Sequence, residues 1–139
     1  MRWLLLISCA FIFSFGMKDD AQLIIQVEGI KKIKGKLMVA AFVNSETFPQ
    51  AEESFKKYSF LVDSKKMTIE LGGLPEGKPC AIAIYHDENS NEKFDANMFG
   101  MPTEIYGFSN NVRGTFGSPS FESAKVVIAN NKKMTIKIY

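Results

Sequence analysis

The sequence predicts an all-β protein, a single antiparallel Greek-key β-sandwich of about seven strands. Short segments alternate apolar and polar residues, most cleanly in Met134, Ile136 and Ile138, and a period of two is the signature of a half-buried strand. Glycine, proline, asparagine and serine separate these segments and mark turns. A length of 139 residues with 46% hydrophobic and 23% charged residues fits one globular domain.

Four strands are predicted in the first half of the chain. They cover residues 23–27, 37–43, 60–62 and 67–71. The second strand is apolar at both its odd and its even positions, which is typical of a strand covered on both faces. The i, i+3 spacing of Phe55 and Tyr58 predicts a short helix over residues 51–58.

The second half is organised around one long polar loop. Strands are predicted over residues 80–85, 125–129 and 134–138, and the loop covers residues 86–119. Loops longer than about 12–15 residues are uncommon unless they are functional or disordered. Since this loop is rich in aromatic residues, we expect it to be ordered and functional.

The N-terminal segment predicts export. Arg2 precedes an uncharged apolar run over residues 3–15, and Ser14 and Gly16 are small residues suited to cleavage. The run is shorter than the roughly 20 residues that span a membrane. We therefore predict a signal peptide over residues 1–16, with cleavage as late as about residue 21, and a mature domain from residue 17 to 139.

The predicted destination is the periplasm or the extracellular space, with no transmembrane segment in the mature chain. Residues 6–9 loosely resemble a lipobox, but the apolar stretch before Cys9 is short, so the sequence favours cleavage over lipoprotein anchoring at Cys9. Removal of the leader leaves Cys80 alone, which excludes an internal disulfide. Cys80 begins an apolar run and is interpreted as a small buried hydrophobic residue.

The charge pattern excludes a nucleic-acid partner. Seventeen basic and fifteen acidic residues give a net charge of +2, and the lysines occur in scattered pairs, whereas nucleic-acid binders concentrate them in a stripe. The remaining partner classes are proteins and glycans.

The beginning of the loop resembles a calcium-binding turn. Asp87, Asn89 and Asn91 stand at positions 1, 3 and 5, the carbonyl of Lys93 at position 7, and Asp95 at position 9. Calcium takes six to eight hard oxygen ligands, which one tight loop can supply. With only two carboxylates, we predict weak binding, with a dissociation constant of about 10⁻⁴–10⁻³ M.

Two departures leave an alternative open. Position 6, usually glycine, is Glu92, and position 12, usually a bidentate glutamate, is Met98. Glu88 or Glu104 would have to complete the ligand shell from elsewhere. The alternative is a polar loop whose Asp and Asn side chains bond only its own backbone.

His86 raises a second functional hypothesis. It is the only histidine in the chain, and with Asp87 or Glu104 it would form the acid–base pair of a hydrolase. The sequence contains no recognisable nucleophile motif, so no catalytic residue is assigned. One histidine and one cysteine are too few ligands for a zinc site. The simpler interpretation is a strand-end histidine bonded to loop backbone. A purely structural envelope protein without a cation is the third hypothesis.

The end of the loop carries candidate contact residues. They are His86, Glu104, Tyr106, Phe108, Asn110 and Asn111. Aromatic rings beside asparagine and serine suit a carbohydrate or peptide surface, but they equally suit packing of the loop onto the sandwich.

Four motifs resemble an exported bacterial family known as domain of unknown function 2141. They are Leu74-Pro75-Glu76-Gly77, residues 86–95, residues 100–111 and Pro119-Ser120-Phe121. The resemblance implies a β-sandwich like transthyretin or the carboxypeptidase regulatory domain, and it implies no activity. The chain departs from the family pattern at Pro79-Cys80 and at Glu92.

Overall fold

The computed structural model describes residues 20–139, and the predicted signal peptide and Cys9 lie outside the described residues. The all-β prediction is confirmed. The strands are β1 (Asp20–Glu28), β2 (Lys36–Phe42), β3 (Lys56–Leu61), β4 (Lys66–Pro75), β5 (Pro79–Asp87), β6 (Tyr106–Phe108), β7 (Val126–Val127) and β8 (Lys132–Lys137), with one helical turn, α1 (Phe121–Ala124). Within the described range, no helix has the length and apolar character needed to cross a membrane.

The strands form two sheets. The small sheet has the order β4-β1-β8, and the large sheet has the order β3-β2-β5-β6, with β7 paired to the start of β5. All pairs are antiparallel except β1 and β8, which are parallel from Leu23↔Lys132 to Glu28↔Lys137. β8 enters the small sheet from β7 in the large sheet, and no hairpin joins it to β1, so nothing forces it to be antiparallel. The Greek-key connectivity stays a prediction.

Two hydrophobic cores cover both faces of the large sheet. Between the sheets, the alternating residues Leu23, Ile25 and Val27 of β1 are 0% exposed. On the outer face, Phe48 packs edge-on against Phe42, Phe108 and Phe121 at ring-centroid distances of 5.2, 5.7 and 6.0 Å. β2 contributes to both cores, which confirms the prediction of a strand covered on both faces.

The predicted helix over residues 51–58 is wrong. One 3₁₀ turn covers Ala51–Glu53, and β3 begins at Lys56. Tyr58 and Phe60 both pack against the inner core, so the period of two from Tyr58 onwards prevails over the i, i+3 spacing with Phe55. The long loop is also shorter than predicted, because β6 divides it.

Cys80 should resist alkylation in the folded protein. The residue is 0% exposed, and burial raises the pKa of its thiol to about 11. The thiolate is the reactive species, so at pH 8 iodoacetamide should modify the Cys80 peptide only after denaturant is added. Peptide mapping by mass spectrometry measures this. Modification of the native protein at the rate seen in denaturant would contradict the burial.

Candidate cation-binding loop and adjoining pocket

Asp87 is the anchor of the polar loop. Alternation along β5 directs His86 toward the inner core and Asp87 to the opposite face of the sheet, where Asp87 is also 0% exposed. Its carboxylate accepts hydrogen bonds from the backbone N–H groups of Asn91 (3.2 Å) and Glu92 (2.8 Å). These bonds close residues 87–92 into a tight turn in which Ser90 and Glu92 have positive φ values of 58° and 62°.

The asparagines of the turn converge on Asp95. The Nδ2 of Asn89 donates to the Asp95 carboxylate at 2.8 Å, and the Nδ2 of Asn91 donates to both of its oxygens at 3.0 and 2.9 Å. The Oδ1 atoms of Asn89 and Asn91 accept backbone N–H groups of residues 91 and 93. Four of the five predicted ligand residues are therefore gathered together.

Glu104 joins this group from the far end of the loop. Its Oε2 accepts the backbone N–H of Asp95 at 3.2 Å. Burial raises the pKa of Glu104, and the neighbouring negative charges of Asp95 and Asp87 add to the increase. Met98, which stands at position 12 in place of the usual glutamate, is 91% exposed in the loop. Glu104 is the acid that the loop brings beside Asp95.

The lysines around the loop pair with other acids. Lys32 contacts Glu88 at 2.8 Å, and Lys36 contacts Glu92 at 2.8 Å. Within residues 20–139, no lysine or arginine forms an ion pair with Asp87, Asp95 or Glu104. Asp87 accepts backbone N–H groups, Asp95 accepts side-chain amides, and Glu104 accepts the backbone N–H of Asp95.

The group is not arranged as a closed metal shell. Across the part of the chain that the structure describes, no three His, Cys, Asp or Glu side chains stand in an arrangement that would hold a metal ion. The amide nitrogens of Asn89 and Asn91 face Asp95, whereas calcium would require their oxygens. The role of the Lys93 carbonyl stays a prediction.

The Glu92 departure is accommodated by the fold. The sequence indicates that glutamate adopts a left-handed turn only at a cost, and Glu92 nonetheless takes a φ of 62°. Its N–H bond to buried Asp87 and its ion pair with Lys36 hold it there. The backbone of the turn therefore forms without glycine at position 6.

His86 is a core residue. It is 0% exposed, its Nε2 donates to the backbone carbonyl of Lys34 at 2.7 Å, and its Nδ1 has no hydrogen-bond partner. The hydrolase hypothesis requires His86 and an acid to line an open pocket. His86 and Asp87 are both 0% exposed, so this pair does not have the open geometry that the hypothesis requires.

The pocket lies beside the loop, where the two sheets meet. Its volume is about 210 Å³, and it is lined by Tyr106, Gly107, Phe108, Asn111, Val112, Arg113, Gly114, Gly117, Lys137 and Tyr139. Three of the six candidate contact residues, Tyr106, Phe108 and Asn111, are in this wall. Asn110 instead donates to the carbonyls of Ser123 and Lys125 and braces the end of α1.

Phe94 connects the loop to the pocket. It lies between Lys93 and Asp95 in sequence and packs on Tyr85 (5.2 Å) and Tyr106 (5.4 Å). Tyr106 in turn packs on Phe108 at 5.9 Å. An ordered Phe94 therefore supports one wall of the pocket.

Sequence reasoning missed the basic side of the pocket. Arg113, Lys137 and Tyr139 come from two segments distant in sequence, and only the closure of β6 against the end of β8 brings them together. The available signal was weak: Tyr139 follows Lys137 at a period of two on the predicted last strand, which places both side chains on one face.

Glu104 should make stability depend on pH. Because its folded pKa is raised, its contribution to stability is fully present below its ordinary pKa of 4.5 and is lost as the pH rises through the folded pKa. In chelator, Glu104→Gln should therefore be at least as stable as the parent at pH 7, and this advantage should disappear at acidic pH. Urea unfolding across pH measures it, with exposed Glu46→Gln as the control. A pH-independent difference would contradict the assignment.

The fold and the loop define a class of protein: a two-sheet β-sandwich with an acid-rich loop at one end. Within that class, the chain belongs to the family described as an uncharacterized protein conserved in bacteria (DUF2141), which matches residues 25–137. The family resemblance noted in the sequence is thereby confirmed. No curated protein and no solved structure matches the chain.

Proposed function

We propose that the protein is an exported, non-enzymatic β-sandwich binding module whose 87–95 loop is ordered by a weakly bound calcium ion. One observation carries the proposal. Besides burial, the negative charges of Asp95 and Asp87 contribute to the raised pKa of Glu104. Within residues 20–139 none of these three acids forms an ion pair, while Lys32 and Lys36 pair with the neighbouring acids Glu88 and Glu92. Converging carboxylates repel one another, and a divalent cation is the partner that relieves this repulsion.

Few rearrangements would create the ligand set. Rotation of the Asn89 and Asn91 amides would free their oxygens from the backbone N–H groups of Asn91 and Lys93 and turn them toward Asp95. Glu104 would be a further carboxylate ligand, and the Lys93 carbonyl would be the backbone ligand. Asp87 already has its carboxylate fixed by two N–H bonds, so part of the ordering cost is met by the fold. Carbonyl, amide and carboxylate oxygens are the donors that calcium prefers.

The ion would act as a structural element of a contact surface. The loop segment that it orders includes Phe94, which supports Tyr106 in the pocket wall. Export to the periplasm or beyond is part of the proposal, supported by the basic start and apolar run of residues 1–16. Extracellular calcium sites commonly have dissociation constants of about 10⁻⁴–10⁻³ M.

Thermal unfolding with and without calcium tests the proposal. After passage through chelator, addition of about 5 mM calcium to a site with a dissociation constant near 10⁻⁴ M should stabilise the domain by about 2 kcal/mol, a shift of several degrees. Magnesium at the same concentration should have a smaller effect, because it gives up its hydration shell reluctantly.

Matched variants locate the effect. Asp95→Asn should lose the calcium-dependent shift, while Asp63→Asn, in the exposed turn between β3 and β4, should retain it. No calcium shift in the parent protein would reduce the loop to a self-bonded turn and favour the structural envelope hypothesis. If the Asp95→Asn variant retains the calcium-dependent shift, the ion binds at another site.

A further inference from the structure

We propose that the pocket between β6 and β8 binds a small ligand that carries a carboxylate on a six-membered ring. The inference goes beyond the calcium-ordered loop and does not depend on it. The pocket has two cationic side chains, aromatic walls and no aspartate or glutamate among its lining residues. This combination selects for negative charge and for a flat or apolar ligand face.

The two cations are available for a ligand. The Cζ of Arg113 lies 3.4 Å from the centroid of the Tyr139 ring, and the Nζ of Lys137 lies 5.3 Å from it. Among the residues described, neither cation forms an ion pair or a side-chain hydrogen bond, whereas Lys32, Lys36, Lys66 and Lys125 all have carboxylate partners. The backbone oxygen of Tyr139 accepts the N–H of Tyr106.

The stacking orients the Arg113 guanidinium. A separation of 3.4 Å places it against the face of the Tyr139 ring, which leaves the N–H groups at its edge free. A planar guanidinium pairs with a planar carboxylate through two parallel hydrogen bonds. A cation–π contact at an exposed site is weak, so it positions the guanidinium without satisfying its donors.

The pocket wall is rigid and small. The amide of Asn111 is fixed at both ends, since its Nδ2 donates to the Thr135 carbonyl at 3.1 Å and its Oδ1 accepts the Lys137 N–H at 2.8 Å. A volume of about 210 Å³ is below the roughly 300–1,000 Å³ of pockets for drug-sized ligands. The space suits one ring, and Tyr106, 36% exposed, offers an aromatic surface for it.

An acidic sugar and an aromatic acid share this chemistry, and a titration separates them. The probes are sodium glucuronate, sodium benzoate, glucose and sodium sulfate, added to the ¹⁵N-labelled protein in chelator at constant ionic strength. The amide resonances of Gly107, Gly114 and Gly117 report on the pocket. Glucuronate, benzoate or both should give saturable shifts, glucose none, and sulfate should bind at least about tenfold more weakly because it lacks the ring.

Charge variants complete the test. Arg113→Gln and Lys137→Gln should each weaken binding of the better carboxylate probe by tenfold or more, consistent with the loss of a charge-assisted hydrogen bond. Lys133→Gln removes the same charge from the same face of β8 and should change the affinity less than twofold. Absence of saturable shifts with both carboxylates, equal binding of glucose or sulfate, or equal effects of all three variants would overturn the proposal.

Discussion

Replacement of Asp87 with alanine should lower the free energy of unfolding by about 2–4 kcal/mol in chelator. The carboxylate is fully buried and is an acceptor for the N–H groups of Asn91 and Glu92. Asn91 N–H retains the side-chain oxygen of Asn89 at 3.0 Å, but no other side-chain acceptor receives the Glu92 N–H in the described structure. Loss of that bond would also release Glu92 from its unfavourable positive φ. Urea denaturation of parent and variant measures the difference.

The calcium dependence of this loss separates two roles of Asp87. If the residue both closes the turn and binds the ion, Asp87→Ala should lose about 2 kcal/mol more in calcium than in chelator. Asp87→Asn keeps one acceptor oxygen and should lose less in chelator, while still losing the calcium response. Asp95→Asn, whose parent carboxylate accepts only side-chain amides, should be nearly neutral in chelator. A neutral Asp87→Ala in chelator would contradict the anchoring role.

The sequence predicted the strands where period and burial agree. β1, β4 and β8 alternate cleanly because one face packs on the inner core, and β2 and β5 are continuously apolar because both faces are covered. β6 was missed because its three residues include Gly107 and lie in polar surroundings. Its stability comes from pairing with β5 and contact with β8, which are tertiary effects without a local signal.

The acid-rich loop was predictable in composition and only partly in geometry. The spacing of Asp87, Asn89, Asn91 and Asp95 favours a tight turn that directs alternate side chains inward, and these residues are hydrogen-bonded to one another; their role as metal ligands stays a prediction. The participation of Glu104 depends on the loop folding back over residues 95–103, where Thr103 N–H bonds the Asp95 carbonyl at 2.9 Å. The spacing of residues in the sequence does not predict that the loop folds back in this way, and it does not predict the complete burial of His86.

Gly107→Ala should be the most disruptive change at the junction of the sheets, lowering the free energy of unfolding by about 3–5 kcal/mol. A Cβ at this position would overlap the backbone carbonyl oxygen of Lys137 and lie 3.1 Å from its carbonyl carbon and 3.2 Å from Cγ2 of Ile138. Backbone atoms cannot rotate aside, so β6 would have to separate from the end of β8. The reciprocal backbone hydrogen bonds of Tyr106 and Tyr139, at 3.3 and 3.1 Å, would be lost with it.

Gly72→Ala is the matched control for this substitution. A Cβ at Gly72 meets nothing within 4 Å. The free energy of unfolding of the Gly72→Ala variant should therefore stay within about 0.5 kcal/mol of the parent value. For Gly107→Ala, the midpoint temperature of thermal unfolding should fall by roughly 10 °C or more. The carboxylate probes should bind more weakly even at temperatures where the variant is folded. Because Gly107 contributes no side chain, weakened binding would show that the close approach of the two sheets creates the pocket. A Gly107→Ala protein as stable as Gly72→Ala would contradict the close approach itself.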